Sequence, residues 1–320
     1  MRLLITGGCG FIGANLCEYL LSKGGFELRV LDNLSIGRQE YLERVQRRTG
    51  GKVELIRGDV RDREIVDGAV KWADAVVHLA AKTSVVDSLR APEEVFQVNV
   101  MGTLNLLEAC RKHGIERFVF ASSNAAVGEQ PSPIHEKKVP APISPYGASK
   151  LAAEALCSAY FGSYGIKAIA LRFANVYGPY SDHKASVVPL FIQWIREGNP
   201  LVIYGDGKQT RDFVYVEDVC QAVKLALVYE PQHPAELVFQ IGSGTETSLL
   251  QLVDHLRRIA QESGFQFPQP KFEPARPGEI RRNFSDIRRA QERLGYRPGV
   301  PLEEGLHHTW RYFAACDHAP

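Results

Sequence analysis

Residues 2–13 read Arg-Leu-Leu-Ile-Thr-Gly-Gly-Cys-Gly-Phe-Ile-Gly, and this stretch decides the fold. Arg2 to Thr6 has the apolar content of a buried strand. Gly7, Gly8, Gly10 and Gly13 crowd the turn that follows, and a helix is predicted from Phe11 to Ser22. Strand, glycine turn and helix, in that order, give the context of a dinucleotide site. The spacing from Gly7 is GxxGxxG rather than the commoner GxGxxG. Gly7, Gly10 and Gly13 let backbone approach a pyrophosphate, which rests on the helix N-terminus at Phe11 and Ile12. A second strand, Glu27 to Leu31, runs into Asp32 and Asn33. Asp32 stands about 20 residues beyond the last glycine, where a ribose-binding carboxylate belongs. It would accept from the adenosine 2′- and 3′-hydroxyls and repel a 2′-phosphate, so NAD is favoured over NADP.

Working outward, Lys52 to Arg57 is a third strand and Ala75 to Leu79 a fourth, nearly all apolar. Helical segments fall between the strands, about residues 62–70 and 92–113. Alternating strands and helices predict a doubly wound parallel α/β sheet of Rossmann type. Asp59, before Val60, either bonds an adenine amine or caps the next helix. Leu79, Ala80 and Ala81 end the fourth strand with small residues that let a cofactor lie close. Asn99 places an amide in an apolar helix, where it needs a partner: a cofactor-side group or nearby backbone. Arg117 to Ser122 is the fifth strand, and Ser123 lies at its carboxyl end, where ligands bind in such sheets.

Ser144-Pro145-Tyr146-Gly147-Ala148-Ser149-Lys150 reads as a helix start, with Ser144 as cap and Pro145 in the first turn. Tyr146 and Lys150 share a helix face. An ammonium there favours the phenolate, and the phenol, ordinarily near ~10, is expected to drop toward neutrality. A phenolate is a usable base at a carbinol oxygen.

The 320 residues are 45% hydrophobic and 23% charged, with net charge +1. No basic field argues for nucleic acid. No apolar run is long enough for a membrane helix, and no signal peptide is legible, so a cytoplasmic protein is the simplest reading. Six scattered cysteines form no CxxC pair, and nine histidines form no ligand cluster, so no metal is expected.

Together TGGCGFIG, Asp32, HLAA from His78, Asn99, FASSNAAVG and YGASK resemble the extended short-chain dehydrogenase/reductase family, especially its NAD-dependent nucleotide-sugar epimerases of the UDP-glucose 4-epimerase kind. LRFANVYGP, IYGDGKQTRDFVYVEDV and ARPGE extend the resemblance into a substrate half. It implies an NAD-binding domain over residues 1–174, with returning segments near 212–246, and a mainly nucleotide-sugar-binding domain over 175–320. It implies catalysis by Ser123, Tyr146 and Lys150, with Lys150 also on the nicotinamide ribose. UDP-sugar contacts are implied at Asn175, Val188, Ile203, Tyr204, Arg211, Arg276 and Glu279, the arginines as diphosphate clamps.

The implied reaction is C4 epimerisation of a UDP-hexose, or of an N-acetylhexosamine, through a transient 4-keto sugar. UDP-uronate 4-epimerisation and NDP-sugar 5,6-dehydration are alternatives. A non-catalytic NAD sensor is another, disfavoured by the intact trio. Asn124 and Ala125 stand where the family's 4,6-dehydratases carry an Asp-Glu pair, which disfavours that elimination. Val127 replaces a family tyrosine, and Asn283 stands where a bulky tyrosine often guards the sugar pocket. Ala- and Leu-rich helices near 100–113 and 147–161 predict pairing into a homodimer.

Overall fold

The computed structural model describes residues 1–275 and 280–316. Its first half alternates strand and helix: β1 (Arg2–Thr6), α1 (Phe11–Lys23), β2 (Glu27–Asp32), α2 (Gln39–Thr49), β3 (Val53–Arg57), α3 (Arg63–Lys71) and β4 (Ala75–His78). Short helices α4 (Val85–Arg90) and α5 (Pro92–Phe96) lead through a π-helical turn, Gln97–Met101, into α6 (Gly102–His113). Then come β5 (Arg117–Ser123), α7 (Pro145–Tyr164) and β6 (Lys167–Phe173). The chain continues through β7 (Asn175–Tyr177), α8 (Val187–Glu197), β8 (Val202–Tyr204), β9 (Thr210–Arg211), β10 (Phe213–Tyr215) and α9 (Val216–Ala226). It ends with β11 (Val238–Ile241), β12 (Thr247–Ser248), α10 (Leu249–Glu262), β13 (Lys271–Glu273), β14 (Arg282–Asn283) and α11 (Leu302–Cys316).

The main sheet has seven strands in the order β11-β6-β5-β4-β1-β2-β3. Every pairing in it is parallel. Apolar strands require cover on both faces, and two cores supply it. One holds Leu3, Ile5, Val30, Val77 and Val119 with α1, α2 and α9. The other holds Leu4, Val76, Phe118 and Phe120 with α3, α6 and α7. The strand order reverses between β1 and β4, which opens a crevice at their carboxyl ends. The expected doubly wound sheet is thus present, with β11 as its returning seventh strand.

Two elements differ from expectation. The helix expected over 92–113 is broken into α5, the π turn and α6, and buried Asn99 sits in the break. The Ser285 to Leu294 stretch looks helical in the sequence, but its π-helical turn covers only Ala290–Leu294. The Ser285 amide donates to Asp212, and Ser285 bridges Ile134, so the chain stays extended there.

Candidate active site

The glycines of the first turn answer to close packing. A Cβ on Gly7 would lie 2.7 Å from the Ala80 amide nitrogen, and Gly7 has φ +71°. A Cβ on Gly13 would meet the Gly7 carbonyl oxygen at 2.4 Å. The turn therefore folds on itself and against the end of β4, leaving the α1 N-terminus facing a groove of about 440 Å³. Gly7, Gly10, Phe11, Ile12 and Gly13 line it. So do Asp32 and Asn33 from the end of β2, Asp59 and Val60 after β3, and Leu79, Ala80 and Ala81 after β4.

Asp32 is buried, and its carboxylate accepts from the Cys9 amide at 3.0 Å and the Leu34 amide at 2.8 Å. Burial raises its pKa above the ordinary value, and these two bonds only limit the rise. Asp59 accepts from Asn33 at 2.8 Å and from the Arg61 guanidinium, which holds its carboxyl well below the usual range. It does not cap α3; Asp62 does, accepting from the Glu64 and Ile65 amides.

A buried chain of hydrogen bonds ties the groove floor together. Thr103 donates to the Asn99 carbonyl at 2.6 Å, so the His78 Nε2 proton must point to Thr103 Oγ1 at 3.0 Å. His78 Nδ1 then accepts from Thr6 Oγ1 at 2.7 Å, and Thr6 accepts from the Ala80 amide. Burial pushes His78 down to about 3, so it is neutral and structural. Asn99 is part of the same frame. Its amide side chain accepts from the Lys82 amide, donates to the Lys82 carbonyl, and donates to Ser149. Expected among the cofactor contacts, it instead lies behind the groove wall, 1% exposed, with its amide bonds directed to the 82 loop and α7.

The β5–α7 side brings Ser123, Tyr146 and Lys150 to the same groove. Ser144 caps α7 by accepting from the Gly147 amide at 3.1 Å. A Cβ on Gly147 would lie 2.3 Å from the Ala125 carbonyl oxygen, so only glycine lets α7 seat its first turn there. The Ser123 hydroxyl beside the Tyr146 phenol favours its ionised form. Burial outweighs it, and the phenol stands above its ordinary value rather than near neutrality. This corrects the expected depression by Lys150, whose ammonium lies 6.0 Å from the tyrosine ring centre and donates to the Ala121 carbonyl. Burial pulls Lys150 itself down to about 7, while Glu154, one turn on, favours its charge. Glu154 is buried against Arg172 at 2.6 Å and accepts from Ser122 at 2.5 Å.

Of the expected substrate contacts, Asn175 and Val188 line the groove. Ile203 does not: it is fully buried in the core, so it cannot flank a base. Tyr204 and Arg211 also lie outside the groove lining; Arg211 donates to the Thr210 and Ile280 carbonyls at 2.8 Å. Arg276 and Glu279 lie outside the described residues. Asn283 pairs with Arg211 across β14 and β9. Asn124 is buried and donates to Ser285 at 3.0 Å, and Val127 is buried. Thr83, His183, Lys184 and Ser186 line the groove and were not anticipated. The rule that ligands sit beyond strand carboxyl ends points to the loops after β4 and β7, but names no residue in them. Among the described residues no group of three or more His, Cys, Asp or Glu could hold a metal ion.

The glycine cradle, the Asp32 carboxylate and the groove between them fit NAD. A family profile described as the NAD dependent epimerase/dehydratase family matches residues 3–242. The chain belongs to this family. NAD is its cofactor. A putative UDP-glucose 4-epimerase of Methanocaldococcus jannaschii is 37% identical, with 95% of each chain covered. The UDP-glucose 4-epimerase of Thermotoga maritima, solved with UDP-glucose, superposes with TM-score 0.90 at 37% identity, covering 99% of this chain and 100% of that one. The UDP-glucuronic acid 4-epimerase of Bacillus cereus, solved with UDP-glucuronic acid and NAD, gives TM-score 0.88 at 30% identity, covering 99% and 100%. Proteins named dTDP-glucose 4,6-dehydratase are also similar, at 31–34% identity. Family and fold therefore agree with the resemblance drawn from the motifs, while the relatives carry several substrate names.

Proposed function

We propose that this protein is an NAD-dependent isomerase that inverts C4 of a UDP-hexose through a 4-keto sugar. The observation that carries this reading is the meeting of Ser123, Tyr146 and Lys150 at one wall of the groove whose other parts are the glycine turn and Asp32. Tyr146 Oη takes the proton of the 4-hydroxyl and returns it to the reoriented ketone oxygen. Ser123 donates to the same sugar oxygen and orients the phenol. Lys150, fixed by Ala121, reaches the nicotinamide ribose. Bound NAD supplies reversible hydride acceptance and a cationic ring that favours ionised Tyr146. Gly7, Gly10, Gly13 and the α1 N-terminus hold its pyrophosphate, and Asp32 its adenosine ribose.

Asn124 and Ala125 provide no carboxyl group to expel water from the sugar, which supports epimerisation over 4,6-dehydration. On this reading residues 1–174, with segments near 212–246, serve the cofactor, and residues 175–320 mainly serve the nucleotide sugar. Asn175 and Val188 meet the substrate, with Arg211, Arg276 and Glu279 on its nucleotide end. Asn283, smaller than tyrosine, leaves room for a 2-acetamido group. Exposed Ala155 and Ala159 on α7, and half-buried Leu104 on α6, support pairing of these helices in a homodimer. The five described cysteines are free and buried, which suits a reducing cytoplasm.

A UDP-uronate is the second reading, favoured by a lysine in the groove wall, Lys184, that has no carboxylate partner among the described residues. The test incubates purified protein with UDP-glucose, UDP-N-acetylglucosamine and UDP-glucuronate, and follows C4 stereochemistry by NMR. Conversion of the first to UDP-galactose supports the proposal; turnover of none of the three removes it.

A further inference from the structure

The groove wall carries four basic side chains from Arg61, Lys82, Lys150 and Lys184. Three of them have their charge answered within the protein. Arg61 pairs with Asp59 at 2.9 Å, and Lys82 with Glu94 at 3.0 Å. Lys150 donates to the Ala121 carbonyl at 2.7 Å and feels Glu154 one turn away. Lys184 is different. Its ammonium has one bond, to the Thr83 hydroxyl at 3.3 Å, and no carboxylate within 4 Å among the described residues.

Lys184 is half-buried. Its pKa is pulled down by burial, with no neighbouring carboxylate to raise it. An ammonium taken out of water without a counter-charge is costly, and a neutral hydroxyl does not supply one. The position is not accidental slack in a loose loop. Asp182 accepts from Arg38 at 2.7 Å and Tyr41 at 2.6 Å, the Tyr41 hydroxyl contacts His183 at 3.0 Å, and the Lys184 amide closes a turn onto the Ser181 carbonyl. The loop thus delivers an uncompensated cation to the wall of a groove that takes anionic ligands.

We propose that Lys184 is a substrate-binding residue whose ammonium pairs with an anionic oxygen of the nucleotide sugar, the Thr83 contact being its place when no substrate is bound. The two sources of such an oxygen are the diphosphate, common to all UDP-sugars, and the C6 carboxylate of a hexuronate. The inference rests on the nucleotide-sugar reading above and assigns a residue within it.

The test uses NAD-loaded protein, with the unmutated chain, Lys184→Met and Lys184→Arg compared by calorimetric titration of UDP, UDP-glucose and UDP-glucuronate. Lys184→Met should weaken binding by about tenfold or more, the usual range for a hydrogen bond to a charged group, while Lys184→Arg stays within a few fold. Weakening of all three ligands assigns the diphosphate; weakening of UDP-glucuronate alone assigns the carboxylate. Affinities unchanged in Lys184→Met, with NAD content and melting temperature matching the unmutated protein, overturn the assignment alone. Failure of the unmutated protein to bind any of the three overturns the nucleotide-sugar reading and the assignment with it. Loss of NAD without loss of UDP affinity also overturns it, since the ammonium would then serve the cofactor.

Discussion

Lys150 Nζ donates to the carbonyl oxygen of Ala121 at 2.7 Å, joining the first turns of α7 to the end of β5. This bond fixes the spacing between the Ser123 and Tyr146 hydroxyls, because one residue of the pair rides on each element. It also places a lysine in an interior that holds its pKa near 7.

That lysine makes stability depend on pH in a stated direction. Its ordinary value is 10.5 and its folded value about 7. Between the two, the unfolded chain binds more protons than the folded one, so this group's contribution to stability rises with pH across the window. The burden is greatest below about 7 and fades toward 10.5. Lys150→Met removes it, so the variant's melting temperature relative to the parent should climb as pH falls from 10 to 7 and then level off. The slope corresponds to at most about 1.4 kcal/mol per pH unit. Melting curves at pH 6, 7, 8 and 9 check this, and a difference flat across that range contradicts it.

Glu154 and Arg172 form a buried pair, 5% and 4% exposed at their side chains. Removing one partner strands the other's charge, at about 3–5 kcal/mol. Arg172→Met should therefore lower stability strongly, while the double change Glu154→Gln with Arg172→Met should recover part of the loss. Urea denaturation of the parent, of Glu154→Gln and Arg172→Met alone, and of the double variant gives the coupling. Additive losses would show that the pair is not what holds β6 to α7.

Gly7→Ala adds a methyl 2.7 Å from the Ala80 nitrogen at a backbone angle that L-residues avoid. Either α1 or the end of β4 must shift, and NAD is lost with the geometry. Equilibrium dialysis should show at least about tenfold weaker NAD binding alongside a lower melting temperature. Parental NAD affinity in this variant would mean that the turn does not carry the pyrophosphate.

Asp32→Ala should weaken NAD binding and lift the discrimination against NADP, since the carboxylate that meets the ribose hydroxyls would also repel a 2′-phosphate. Titrating both cofactors measures the ratio of affinities. An unchanged ratio places the selectivity elsewhere.

The sheet and the cofactor groove were legible because their signals are local. A strand, a glycine turn and a helix stand within residues 2–23, and the small residues after His78 sit where a chain must pass close to a ligand. What escaped the sequence depends on contacts between distant segments. Asn99 read equally well as a ligand or a frame residue, and its partner Lys82 comes from a loop no periodicity describes. Ile203 was expected at the UDP-sugar, yet its side chain packs into the core. Helix spacing shows which groups neighbour Tyr146 but not how much water they lose, so the raised phenol pKa is visible only in the fold. Lys184 carried no motif at all; only the absence of a carboxylate around it in space marks it.

The Tyr146 oxygen is the base of the proposed reaction, and one variant tests that role directly. Tyr146→Phe keeps the ring and loses the hydroxyl, so fold and bound NAD should persist. Interconversion of UDP-glucose and UDP-galactose by the NAD-loaded parent and variant is followed by NMR. The parent should invert C4, and the variant should lose about 10²–10⁴-fold of that rate. A variant that retains NAD and turns over at the parental rate would contradict that role.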